Sequence, residues 1–88
     1  NMRNSLRNEL LDAMLDGSFG SGIVITRQDV ITRFTSFSEN YTKVFLSNSE
    51  MTTAAHSPTY TKFTQRISDG VYRVHPEALV ARLQELEQ

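Results

Sequence analysis

A turn signal at Ser68-Asp69-Gly70 constrains this chain more than any other feature, because what lies on either side of it is β-like. Val71 to Val74 is a β-branched and aromatic run, and its backbone needs a partner across the Asp69-Gly70 turn. The run before the turn has two readings. Thr61, Phe63, Gln65 and Ile67 alternate with Lys62, Thr64 and Arg66 as a strand would. Tyr60, Phe63 and Ile67 also fit a helical face, with Ser57 as cap and Pro58 at the first helical position. The need for a partner favours the strand, and the helix stays open for residues 59–67. As a hairpin, the ribbon from Phe63 to Pro76 carries Arg66 and Arg73 outward.

Upstream, Leu6, Leu10, Leu11, Met14 and Leu15 recur at helical spacing and predict a helix from about Ser5 to Asp16, with Asn4 as cap and Gly17 as left-handed stop. The loop Ser18-Phe19-Gly20-Ser21-Gly22 lacks both the Gly-x-Gly-x-x-Gly fingerprint and the phosphate-loop lysine, so it reads as a connector. Ile23-Val24-Ile25 is too short to stand alone and suits pairing with the edge of the later hairpin. Thr26 with Asp29 forms a capping box that starts a second helix through Val30, Ile31 and Phe34.

Ser38 caps a third helix, in which Tyr41, Val44, Phe45 and Leu46 form the expected inward face. Asn40, Thr42, Lys43, Ser47 and Asn48 form the opposite, polar face. From Ser49 to Thr59 no period holds, and a loop is expected. Pro76 ends the ribbon and starts a last helix, Glu77 to about Leu86, with Leu79, Val80, Leu83 and Leu86 along one stripe. Two partners are open to that stripe: the core of the same chain, or a second copy across a dimer seam.

Eighty-eight residues suit a single domain, 1–88, that buries only about 60–65% of the surface its unfolded form exposes, so the apolar clusters should meet in one core. Asn1 ahead of Met2 reads as a tag remnant. Without cysteine the chain has no disulfide, thiolate metal site or thiol nucleophile, and a reducing cytoplasm is the expected compartment. No apolar run approaches the roughly 18 residues that span a bilayer, and no membrane partner is expected. The net charge of −1 argues mildly against a phosphate-binding chain. Its distribution answers in part. Between Arg27 and His75, the positive Arg27, Arg33, Lys43, Lys62, Arg66 and Arg73 outnumber the negative Asp29, Glu39, Glu50 and Asp69.

The order helix, short strand, helix, helix, hairpin, helix resembles the winged helix-turn-helix class, and Arg66 to Val74 looks like the wing of DNA-binding domains in bacterial regulators and in accessory domains of restriction endonucleases. The resemblance implies an α+β fold with a three-helix core, a short strand, a C-terminal hairpin wing and a final helix. It implies sequence-specific binding of duplex DNA, in transcription regulation or restriction. The third helix would enter the major groove, with Asn40, Lys43, Ser47 and Asn48 near bases and Lys62, Arg66 and Arg73 near phosphates. The chemistry suits those roles independently, since Asn pairs with adenine in bidentate fashion and Lys or Arg meets guanine or phosphate.

A solvated helix face and charged strand residues that deter edge pairing account for the same side chains without DNA. The alternative function is therefore a winged-helix module for protein interaction or dimerisation. His56 and His75 have no ligand spacing around them, and Ser57 beside His56 with Asp69 lacks any nucleophile context, so neither metal, cofactor nor catalysis is expected. Tyr41, Phe45, Tyr60, Phe63 and Tyr72 read as core rather than as a base-stacking platform.

Overall fold

The first helix, α1 (Leu6–Leu15), begins where the Ser5 hydroxyl accepts from the Asn8 amide at 3.2 Å; the computed structural model describes residues 5–51 and 57–87. Ser5 thus takes the capping role expected of Asn4, which lies outside the described residues. The helix buries Leu6, Leu10, Leu11 and Met14, as its spacing requires. It stops in a Schellman motif: Gly17 has φ +86°, the Ser18 amide donates to Ala13 and the Gly17 amide to Met14.

The short strand β1 (Val24–Thr26) runs directly into α2 (Arg27–Arg33), and the Thr26–Asp29 capping box closes in both directions at 3.0 and 3.1 Å. Residues 34–38 lead to α3 (Glu39–Asn48), capped by Ser38. The hairpin strands β2 (Thr64–Ser68) and β3 (Val71–Val74) follow. The helix α4 (Pro76–Leu86) ends the described chain, and its cap is His75, whose Nδ1 accepts from the Glu77 amide at 3.1 Å. The three strands form an antiparallel sheet in the order β1-β3-β2, so the β-branched run of β1 does pair with the hairpin. Gly70 has φ +72° while Asp69 does not, and the register shifts between Arg66 and Ser68, leaving Ile67 as a bulge that fits the strands to this turn.

The start of β2 corrects the expected strand. Pairing begins at Thr64, one residue into the expected ribbon, and the alternation from Thr61 is not taken up, because the Thr59 hydroxyl takes the Lys62 amide at 3.0 Å and the Thr59 amide donates to the Lys62 carbonyl at 2.8 Å. That local turn withdraws the backbone of 59–62 from the sheet. The helical alternative for this segment is not what forms.

Leu10, Ile25, Val30, Phe45, Phe63 and Val74 lie in one core cluster shared by helices and sheet. The apolar stripe of α4 stays largely outside it, against the expectation that every apolar cluster reaches the core. Ala78 and Arg82 are the buried residues of α4, while Val80, Leu83 and Leu86 are 52, 47 and 54% exposed. The seating of α4 on α1 is ionic. Arg82 Nε donates to Asp12 Oδ1 at 2.7 Å, and Arg7 reaches both Glu85 oxygens at 3.1 Å. Those bonds turn α4 so that Arg82, not Leu83 or Leu86, faces inward, while Leu79 packs partly against the core. Among the described residues no helix is long and apolar enough to cross a membrane.

Candidate nucleic-acid interface

The phase of α3 decides which of its side chains can reach a partner. Its buried residues are Thr42, Phe45 and Leu46, continued by Ser49 beyond the helix, an i, i+3, i+4, i+7 face. Tyr41 and Val44, expected to point inward, are exposed, and Thr42, expected outward, is buried. The reason is that hydroxyls here carry their own partners inward. Thr42 Oγ1 donates to the Glu39 carbonyl at 3.1 Å, and Ser49 Oγ to the Leu46 carbonyl at 3.1 Å. Thr64 Oγ1, fully buried on β2, donates to the same Leu46 carbonyl at 2.8 Å and so joins the end of α3 to the sheet.

With that phase, Asn40, Lys43 and Ser47 fall at i, i+3 and i+7 and form one exposed stripe. Ser47 Oγ donates to the Val44 carbonyl at 3.0 Å. Asn48 lies off the stripe. It lines a cleft of about 290 Å³ with Tyr41, Phe45, Tyr60 and Phe63, bordered by Arg7, whose guanidinium sits 3.8 Å from the Tyr60 ring centre. Of the five aromatics read as core, Phe45, Phe63 and Tyr72 are buried, whereas Tyr41 and Tyr60 are exposed at this cleft.

The three basic residues expected at phosphates occupy three different settings. Lys62 Nζ donates to the Asn48 carbonyl, where an ammonium satisfies one of the orphan acceptors at the end of α3. Paired residues in an antiparallel sheet point to the same face, so Arg66 shares a face with Tyr72 and Ile25, the face that α3 covers through Thr64. Arg73 pairs with Gln65 and Val24 on the opposite face, partly buried, with no hydrogen-bond partner for its Nε among the described residues. Arg66 and the α3 stripe are thus on one side of the sheet, and Arg73 is on the other.

A residue that sequence reasoning missed joins Arg66. Arg27, the first residue of α2, donates its amide to the Gly70 carbonyl at 2.8 Å and brings its guanidinium to the tip of the hairpin, 3.6 Å from Asp69. Its position after the Thr26 cap was visible in the sequence, but the pairing of β1 with β3 that carries it to the turn was needed to find it. Among the described residues no three of His, Cys, Asp or Glu converge on a metal-holding geometry; His56 lies outside those residues, and His75 is engaged as the α4 cap. Comparison with protein-family models, with curated proteins and with solved structures yields no match.

Proposed function

We propose that this chain is a winged helix-turn-helix domain that binds duplex DNA sequence-specifically, in transcription regulation or restriction. In this reading α3 enters the major groove and the β2–β3 hairpin contacts the phosphate backbone. The element order supports it, with α2 and α3 as neighbouring helices joined by residues 34–38 and the hairpin as the next element, after residues 49–63. The observation that carries the reading is that the exposed stripe Asn40-Lys43-Ser47 and Arg66 lie on the same side of the sheet. In this reading one duplex meets both. Asn40 and Lys43 supply amide and ammonium groups for base edges, and Arg66 supplies a guanidinium for phosphate. Asn48 and Lys62 sit at the end of α3 as secondary contacts, and Arg73 has no part in this surface.

The domain acts as a dimer through α4. Val80, Leu83 and Leu86 are exposed along α4 and make a short apolar seam suited to a second copy, while Leu79 packs on the domain's own core. The same stripe favours a second reading, a protein-interaction or dimerisation module with no role on nucleic acid. Duplex titrations of the wild type, Lys43→Ala and Arg66→Ala separate the two. The DNA reading expects Lys43→Ala to weaken binding by roughly tenfold or more, at the scale of about 1–3 kcal/mol for a good base contact. It expects Arg66→Ala to weaken binding about equally on all sequences. Binding that neither substitution weakens would overturn the placement of reader and wing, and no duplex binding at low salt would leave the second reading.

A further inference from the structure

The tip of the hairpin holds an acid between two arginines that belong to different elements. Asp69 is 90% exposed, yet one of its oxygens, Oδ1, lies 3.6 Å from Arg27 Nη2 and 3.8 Å from Arg66 Nη2. Both distances exceed a hydrogen bond, so the carboxylate is held by charge alone and the guanidinium donors facing it are not consumed. Both arginine side chains are about half exposed, at 45 and 52%. Their convergence is built into the backbone. The Arg27 amide is bonded to the Gly70 carbonyl, the Thr26–Asp29 capping box fixes the start of α2, and the bulge at Ile67 sets the course of β2 between Arg66 and the turn. The guanidinium of Arg27 lies alongside the turn, 3.8 Å from where a Cβ on Gly70 would stand.

We infer that Arg27 and Arg66 form a phosphate site at the hairpin tip and that Asp69 occupies it as an internal competitor, displaced when a phosphodiester binds. A phosphate presents several oxygens to the two planar forks, whereas Asp69 presents one oxygen beyond hydrogen-bonding distance. Asp69 then remains beside the bound phosphate as a like charge, which holds affinity down and leaves more of the discrimination to α3. The duplex as the source of the phosphate rests on the proposed DNA reading; the anion site itself does not.

Two measurements test this separately. In the first, the side-chain Nε–H resonances of Arg27 and Arg66 are followed by NMR while inorganic phosphate is added to the wild type and to Asp69→Asn. Both resonances are expected to move together, at lower phosphate in Asp69→Asn than in the wild type. No movement of either in Asp69→Asn, or movement of one alone, overturns the site. In the second, duplex affinity is measured against salt. Asp69→Asn is expected to bind about two- to fivefold more tightly at low salt. Arg27→Ala is expected to bind more weakly, with the slope of log affinity against log salt reduced by about 0.9 for one lost phosphate. A duplex that binds Arg27→Ala with unchanged affinity and slope overturns the inference while the DNA reading stands. Phosphate that moves both resonances in a protein that binds no duplex keeps the site, with free phosphate as its ligand, and sinks the DNA reading.

Discussion

At the scale of single residues, hydroxyl groups do work that a hydrophobic pattern hides. Thr42, Ser49 and Thr64 are buried because each finds a main-chain or hydroxyl partner, and together they decide which side of α3 faces water. A reading that counts only apolar side chains rotates α3 toward Tyr41 and Val44 and sends Thr42 outward, as the pattern of this chain invites. The three hydroxyls are not equal. Thr64 bridges to the Leu46 carbonyl of a different element and is itself fully buried, while Thr42 bonds carbonyls within its own first turn, at Glu39 and Ser38. Thr64→Val is therefore expected to lower unfolding free energy by about 1–2 kcal/mol. Thr42→Val should change it by less than about 0.5 kcal/mol, because the helix retains its own hydrogen bonds and the valine fills the same space. Chemical denaturation of both variants checks this, and an equal loss at both sites would contradict it.

At the scale of elements, local chemistry and the buried face of α1 were legible, and the faces of α3 and α4 were not. The Thr26–Asp29 box, the left-handed Gly17, the Asp69-Gly70 turn and the pairing of Ile23 to Ile25 with the hairpin all follow from residue types at fixed spacing, and each forms as expected among the described residues. The burial of α4 does not follow from spacing, because it depends on Arg7, Asp12, Arg82 and Glu85 meeting across 70 residues or more of sequence. Hydrogen bonding from Arg7 holds the Glu85 carboxyl below its ordinary value of 4.5, with burial opposing and Arg82 reinforcing. A carboxyl with a depressed folded value contributes stability that is fully present above 4.5 and is lost as the pH falls through the lower folded value. The wild type should therefore lose stability below pH 4.5 more steeply than Glu85→Gln, as followed by acid unfolding; equal acid slopes would remove the α1–α4 clamp from the account. The outward stripe carries a separate expectation. Leu83→Glu should leave the monomer folded, since Leu83 is 47% exposed, and should abolish self-association measured by sedimentation. A wild type that is monomeric at high concentration would contradict the seam.

At the scale of the whole molecule, charge placement matters more than charge count. The chain carries a net −1, yet Lys43 on α3 and Arg66 on β2 are exposed on one side of the sheet, and Arg27 joins Arg66 at the hairpin tip. Arg73, on the opposite face, shows how two arginines separated by one turn of a ribbon can part company: the bulge and the alternation of the strands set their faces, and neither was fixed by composition. The basic excess between Arg27 and His75 was visible in the sequence, and its division between two faces was not, because that division depends on register. Duplex affinity as a function of salt is the measurement that bears most directly on the claim that this surface meets DNA. The account predicts binding at low salt that weakens with a slope of about −2, for the two phosphates that Arg27 and Arg66 can neutralise in one domain. Absence of binding at low salt, or an affinity that salt leaves unchanged, would contradict it.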